Sequence, residues 1–485
     1  MQHFDMVVKG GSLVVPRFGV VKADIGLSGE KISAIAADIP EASASRVLDA
    51  SGCMVFPGAV DSHLHVGIYR QIGEDATSES TAAASAGITT LVSYFRTGSN
   101  YLNKSGTFRE IFPELLDISR DAYITDYGYH LAIMSSEQLR EIDWLIGEAG
   151  VSTFKYYMFY KTLDLSGSSR SDSYLMLKES LDLGFLYRFM SEVARVHDKY
   201  REFGGASLSV HCENPEIIRV TMEDVKNNPS GNAMKDYSDA RPGWEEELAI
   251  REVGVIAKRT GCPVNLLHLS SREAVDAGRQ VAAENKGIPT LLEATLHHLH
   301  MSYENDYGML GKVNPPVRSS ADVEYLWNAV VKGDIRTVVS DHSSNPSNLR
   351  KGDLWTIMPG FGGLSLMFPV MITEGYHKRG VPLTRIAELV CLEPAIAHNL
   401  FPKKGSLVVG GDGDLCLVDI NEERTVTNAM MHSSQDYTPA EGKSFKGWVK
   451  ATVLRGRVIY ENGTVVGKPG YGQYIKRPVR LHGYV

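Results

Sequence analysis

Cysteine is scarce in this chain. Among 485 residues there are five, Cys53, Cys212, Cys262, Cys391 and Cys416. The count is odd and no CxxC pair occurs, which argues against a disulfide framework and fits a reducing compartment. No run of lysine and arginine appears. With 50 basic and 58 acidic residues the formal net charge is -8, so neither nucleic acid nor an anionic membrane surface is an expected partner. No window approaches the roughly 18 uninterrupted apolar residues of a membrane span. The first residues, "MQHFDMVVKGGSLVV", lack a charged stretch followed by a long apolar core, so no signal peptide is expected and the cytoplasm is the expected location. Low-complexity segments and short-period repeats are missing as well. What remains is the balance of a globular protein, 43% hydrophobic and 22% charged, with enough chain for a large core.

The texture of the chain changes twice. Residues 1–56 read as short strands and turns, in "DMVVKGGSLVV", "ADIGLSGEKISAIA" and "RVLDASGCMVFPG". Residues 405–485 read the same way, in "KGSLVVGGDGDLCLVDI" and "WVKATVLRGRVIYENGTVV". The two ends are expected to be halves of one small β-sandwich domain. Between them, over 57–404, short apolar runs alternate with helical patterns. The runs include "ITTLVSYF", "YGYHLAIM", "VSTFKYYMF", "ASLSVHC", "CPVNLLHLS", "IPTLLEAT" and "IRTVVSDH"; "WEEELAIREVGVIAKRTG" and "SREAVDAGRQVAAENKG" carry helical spacing. Such alternation predicts an α/β fold with parallel strands, closed as a (β/α)8 TIM-like barrel.

The residues that carry chemistry cluster where these runs turn polar. In "FPGAVDSHLHVG", His63 and His65 are two residues apart on a predicted strand and so point to one face, as two neutral imidazoles suited to a metal ion. His211 lies in "SLSVHCEN", His268 in "VNLLHLSS" and Asp341 in "TVVSDHSS". Each stands at the C-terminal end of a predicted strand, the rim on which (β/α) barrels build their sites. One such residue is ordinary; five in the same context predict a metal site. Lys155, in "STFKYYMFYK", is the odd member, because an ammonium repels cations and is costly to bury. Either it reaches water with its head, or its neutral amine takes up carbon dioxide to give a carbamate with two anionic oxygens.

Taken together these segments resemble the amidohydrolase superfamily, in its dihydropyrimidinase, hydantoinase and allantoinase branch. "GAVDSHLHVG" is similar to the branch's first-strand metal motif, "TFKYYMFYK" to its carboxylated-lysine segment, "VHCEN" and "LLHLSS" to its later histidine motifs, and "VVSDHSS" to its last aspartate motif. The resemblance covers nearly the whole chain. It implies two divalent ions, most often zinc, with manganese or others also found. His63, His65 and Asp341 would hold one ion, His211 and His268 the other, and Lys155 as N6-carboxylysine would bridge them together with a hydroxide. It implies hydrolysis of a hydantoin- or dihydropyrimidine-like ring to an N-carbamoyl amino acid, with Asp341 as proton carrier. Tyr160 is similar to the oxyanion donor of hydantoinases, and backbone near Leu296 to a substrate contact. Relatives imply a homo-oligomer, a dimer or tetramer, acting on a small cyclic amide.

Other features point elsewhere. "SDHSSNPSNLRKGDLWTIMPGFGGLSL" is closer to allantoinases, keeping allantoin or another cyclic ureide or imide open as the substrate. "EATLHHLHM" departs from both, and His297, His298 and His300 read as packing or loop residues, as Arg318 reads as structural. Phe95 and "YYMFY" suggest an aromatic pocket, and the stretch after Lys161 a lid. A non-catalytic dihydropyrimidinase-related binding protein is the rival outside enzymology; it would lack the metal ligands, whereas all six positions are intact here. A dihydroorotase would hold an arginine next to the first His-x-His, and Arg70 stands five residues beyond His65.

Overall fold

The computed structural model describes residues 3–98, 100–160, 181–305 and 307–484. Its centre is a nine-stranded, all-parallel sheet. The strands are β1 (Ala59–His65), β2 (Ile88–Arg96), β3 (Asp126–Ala132), β4 (Thr153–Tyr157), β5 (Ser207–His211), β6 (Val264–Leu266), β7 (Thr290–Thr295), β8 (Ile335–Val339) and the two-residue β9 (His342–Ser343). Their spatial order is β8-β7-β6-β5-β4-β3-β2-β1-β9. Strands β1 to β8 therefore follow one another in space as in sequence. The sheet also curls back on itself. The chain leaves β8, turns at Ser340 and Asp341, and as β9 pairs with β1, His342 opposite Leu64 and Ser343 opposite His65.

Every residue of β2, β3, β4 and β5 is buried. That is the pattern of parallel strands covered on both faces, and it explains why these segments read as unbroken apolar runs. The covering helices start and stop where their caps dictate. Ser319 and Asp322 form a capping box at the start of Ser320–Lys332, and Gly333, at φ 86°, ends it. Ser271 accepts from the Ala274 N–H to begin Arg272–Glu284. Among the described residues no helix is long and apolar enough to cross a membrane.

Two mixed sheets stand beside the parallel one. A four-stranded sheet orders Lys31–Ala36, Asp24–Ser28, Phe4–Lys9 and Ala44–Asp49. A seven-stranded sheet mixes segments from the two ends of the chain. In it Leu415–Thr425 runs antiparallel to Met54–Pro57, with Leu415 opposite Pro57 and Leu417 opposite Val55. Leu13, Val55, Leu407, Leu415 and Val453 share one apolar cluster.

The C-terminal segment is tied to the N-terminal end of β3. Lys404 is fully buried and donates to Asp126 at 2.6 Å and to Asp414 at 2.7 Å. Three carboxylates, those of Asp126, Asp412 and Asp414, outweigh the burial cost and hold its pKa above the ordinary lysine value. Removing one partner of such a cluster leaves an uncompensated buried charge.

Candidate functional site

Alternation along β1 puts Asp61, His63 and His65 on one face and Leu64, fully buried, on the other. Asp341 meets the two histidines from the turn after β8. Its Oδ1 lies 3.1 Å from His63 Nε2 and 3.4 Å from His65 Nε2. The three side chains can present metal-ligating atoms that all lie within 4.8 Å of one another. Two further imidazoles adjoin them. His268 Nε2 is 2.8 Å from His211 Nδ1, and the His63 and His268 rings are 5.4 Å apart. Lys155 enters from β4, its Nζ 4.5 Å from the Tyr94 ring centre and 4.7 Å from that of Tyr157. All six expected ligand positions line one cleft, open to solvent.

The backbone is bent to achieve this. His268 and Asp341 take positive φ, 38° and 50°. Side chains other than glycine reach that region at a cost of about 1–3 kcal/mol, and such residues concentrate at functional sites.

The electrostatics favour ligand forms except at His63, where the lowering effect of burial is outweighed by Asp341 and Glu293, which raise its pKa. Burial lowers the pKa of His65 to about 4, and it lowers those of His211 and His268 as well, so these imidazoles are neutral at physiological pH. Burial alone would raise the Asp341 carboxyl, but His63 and His65 facing it hold it well below the usual range, as a carboxylate. Burial also lowers Lys155 to about 7, against the pull of Asp341 and Glu293. Burial thus favours its neutral amine, the form that adds carbon dioxide.

The residues fit a divalent metal. Lys155 Nζ, His268 Nδ1 and Glu293 Oε2 are buried without a hydrogen-bond partner among the described residues, an expensive arrangement if nothing else binds there. The donors are imidazole nitrogens and a carboxylate, the set that zinc and its neighbours prefer.

The supporting residues were not legible beforehand. Glu293, within β7, bonds His63 Nδ1 at 2.7 Å and fixes the ring so that Nε2 faces Asp341. Glu213 bonds His211 Nε2 at 2.6 Å and is itself held by Arg241 at 2.7 and 2.8 Å. Asp61 accepts the Ser340 N–H at 3.2 Å and pins the turn that carries Asp341. The one available signal was a glutamate inside the apolar run "IPTLLEAT". Partners of this kind typically cost 10–100-fold in metal affinity when removed. Glu293→Gln is therefore expected to weaken metal binding by about 10–100-fold, read by competition with a chromogenic chelator. Unchanged affinity would mean that Glu293 does not orient His63.

Not every expected residue reaches the cleft. Leu296 is absent from its described lining; the Leu296 N–H is donated to the Val339 carbonyl, and its own carbonyl accepts from His300 Nδ1. His298 bonds Thr295 Oγ1 and the Pro315 carbonyl, and Arg318 donates to Ser270 and the Ser238 and Arg241 carbonyls. Phe95 is buried against Tyr101 and Tyr129 rather than facing the cleft, while Arg96 lines it. Arg70 is turned to Ser434. Tyr160 closes the 3-10 turn Met158–Tyr160; its side chain and the stretch after Lys161 lie outside the described residues.

Comparison with known proteins agrees with this geometry. The amidohydrolase family model matches residues 192–459. An allantoinase of Rubrobacter xylanophilus is 31% identical over 486 aligned residues, covering 100% of each chain. A D-hydantoinase of Rhizobium radiobacter is 28% identical, over 98% of this chain and 99% of its own. Among solved structures, the L-hydantoinase (dihydropyrimidinase) from Arthrobacter aurescens superposes with a TM-score of 0.85 at 28% identity, covering 98% of this chain and 100% of that one. With a relative matched end to end and a histidine and aspartate cluster at the heart of the fold, the chain belongs to the amidohydrolase family.

Proposed function

We propose that this protein is a metal-dependent hydrolase that opens a cyclic amide, a hydantoin- or dihydropyrimidine-like ring, to an N-carbamoyl amino acid. The observation that carries the reading is the convergence of His63, His65, His211, His268, Asp341 and a desolvated Lys155 in one cleft. The identity to an allantoinase and to hydantoinases supports it, and keeps allantoin in view as an alternative substrate. The curled sheet is read as a closed (β/α)8 barrel over residues 57–404, with 1–56 and 405–485 together forming a β-sandwich.

His63, His65 and Asp341 would hold one divalent ion and His211 and His268 a second, most simply zinc, with Lys155 as N6-carboxylysine serving both. When bound, the ions supply Lewis acidity that polarises a carbonyl and lowers the pKa of water. The chain's own groups do the rest. The Asp341 carboxylate takes the proton of the attacking water and returns it to the ring nitrogen as the amide bond breaks. Tyr157 and Phe159 wall the cleft with aromatic surface beside His211. The Tyr160 hydroxyl donates to the carbonyl oxygen as negative charge builds there. The protein works in the cytoplasm as a homo-oligomer, a dimer or tetramer.

Turnover of hydantoin, dihydrouracil, allantoin, dihydroorotate and a cyclic imide by zinc-loaded protein tests the reading; no ring opening on any of them would refute it. On the best substrate, Tyr160→Phe is expected to lower kcat by about 10²–10³ with little change in KM. An unchanged kcat removes Tyr160 from the mechanism.

A further inference from the structure

The ligands expected for one ion come from the two sides of a join in the parallel sheet. His63 and His65 lie on β1, and Asp341 lies in the turn between β8 and β9. Strand β9 meets β1 at two residue pairs, His342 with Leu64 and Ser343 with His65. The separation of β1 and β9 therefore sets how far Asp341 stands from the two imidazoles. Ahead of the ligands, Asp61 of β1 ties the strands together by accepting the Ser340 N–H at 3.2 Å. Beyond them, the tie is made by a side chain that belongs to neither strand.

That side chain is Asp75, on the helix Ile72–Ser85, and it is fully buried. Its Oδ2 accepts the Gly67 N–H at 2.6 Å, two residues after His65. Its Oδ1 accepts the Ser344 hydroxyl at 2.6 Å, three residues after Asp341. One carboxylate thus takes a donor from each side of the join. Glu79, also fully buried, follows one helical turn later on the same face. Its Oε2 lies 2.6 Å from His342 Nε2, and His342 Nδ1 accepts the Gly363 N–H at 3.1 Å, so Nε2 carries the proton and donates. The Ser433 hydroxyl at 2.6 Å, the Ser434 hydroxyl at 2.8 Å and the Ser434 N–H at 3.0 Å complete the shell of Glu79. Neither carboxylate is among the described lining residues of the cleft. Bonds to an ionised acceptor are about twice as strong as neutral ones, and a shift of about 1 Å at a reacting group can cost about 100-fold in rate.

Resting on the metal-dependent ring-opening reading above, we propose that Asp75 is a positioning residue for the ion of His63, His65 and Asp341. It fixes the span between β1 and β9, and with it the distance from His65 to Asp341, while Glu79 braces the β9 side through His342.

Two variants test this. Asp75→Asn keeps the shape, but an amide has one acceptor and one donor and cannot accept from both Gly67 and Ser344. Ser344→Ala removes the tie on the β9 side and leaves the charge in place. Zinc-loaded protein is titrated with a chromogenic chelator, the cobalt-substituted form is read by its visible absorption, and kcat and KM are measured on the best ring substrate. Both variants are expected to release an ion about 10–100-fold more readily than the wild type and to show an altered cobalt spectrum. Their kcat is expected to fall by about tenfold or more with KM unchanged. A residue that served the fold alone would lower the melting midpoint and leave ion release, spectrum and kcat as in the wild type; that result overturns the proposal and leaves ring opening standing. Should Asp75→Asn fail to fold, Ser344→Ala decides. If the wild type holds zinc but opens no ring, while the variants release it more readily and change the cobalt spectrum, the positioning role stands and ring opening falls. If the wild type binds no zinc, both fall.

Discussion

Asp341→Asn is expected to lower kcat for ring opening by about 10³, within the range that a positioned proton carrier contributes. Asparagine is the informative replacement. It keeps the shape of the side chain and tolerates the positive φ of 50° at this position, which most residues would strain against. What it loses is the negative charge and the ability to take a proton. The charge is favoured in the folded protein, because His63 and His65 draw the carboxyl toward its ionised form against the effect of burial. Rates on the best ring substrate, with metal content measured alongside, separate the two losses. A variant that keeps its zinc but not its rate locates the proton at Asp341; a rate within tenfold of wild type would remove Asp341 from the chemistry.

Lys155→Met is expected to be as severe for a different reason. Methionine fills a similar apolar volume between Tyr94 and Tyr157 but offers no amine to carboxylate. Metal content should fall, and activity with it by about 10³ or more, comparable to losing an electrostatic element of the site. In the wild type, recovery of a stripped and reloaded sample should depend on bicarbonate; in the variant bicarbonate should do nothing. The metal-free protein carries a second signature. Burial lowers the Lys155 pKa to about 7, from an ordinary 10.5. Between those values the unfolded chain holds a proton that the folded chain has released, so stability rises with pH across that window. Denaturation midpoints of stripped wild type should show this slope and those of Lys155→Met should not. A methionine variant with near-normal metal and rate would end the bridging account.

Much of this site was readable before any coordinates, and the reason is local. The strands are buried on both faces, so each announces itself as an apolar run, and a histidine or aspartate at the end of such a run stands out. The spacing of His63 and His65 fixes their common face without help from the rest of the chain. Glu293 was not readable in the same way, because its role depends on His63 Nδ1 arriving from a strand distant in sequence. The aromatic pocket was legible in part, for Tyr157 and Phe159 line the cleft, but Phe95 was misplaced by one residue. In a strand that is enough to change faces, and the structure sends Phe95 into the core and brings Arg96 to the cleft. The Leu296 backbone, expected near the substrate, bonds Val339 through its N–H and accepts from His300 at its carbonyl. At the termini the strand-and-turn texture was visible, but the partition into sheets of four and seven strands was not, since partners there are chosen across the length of the chain.

That choice of partners bears on how the molecule is made. Met54–Pro57 has Ser12–Val15 on one side, available early, and Leu415–Thr425 on the other. Synthesis runs from the front, so the second edge of that strand stays bare while the intervening helices and strands emerge from the ribosome. Closing so long a loop is slow, and an open strand edge is a place for stray pairing. The front end of this protein is thus born early and finished late, sheltered in the meantime only by its own hairpins.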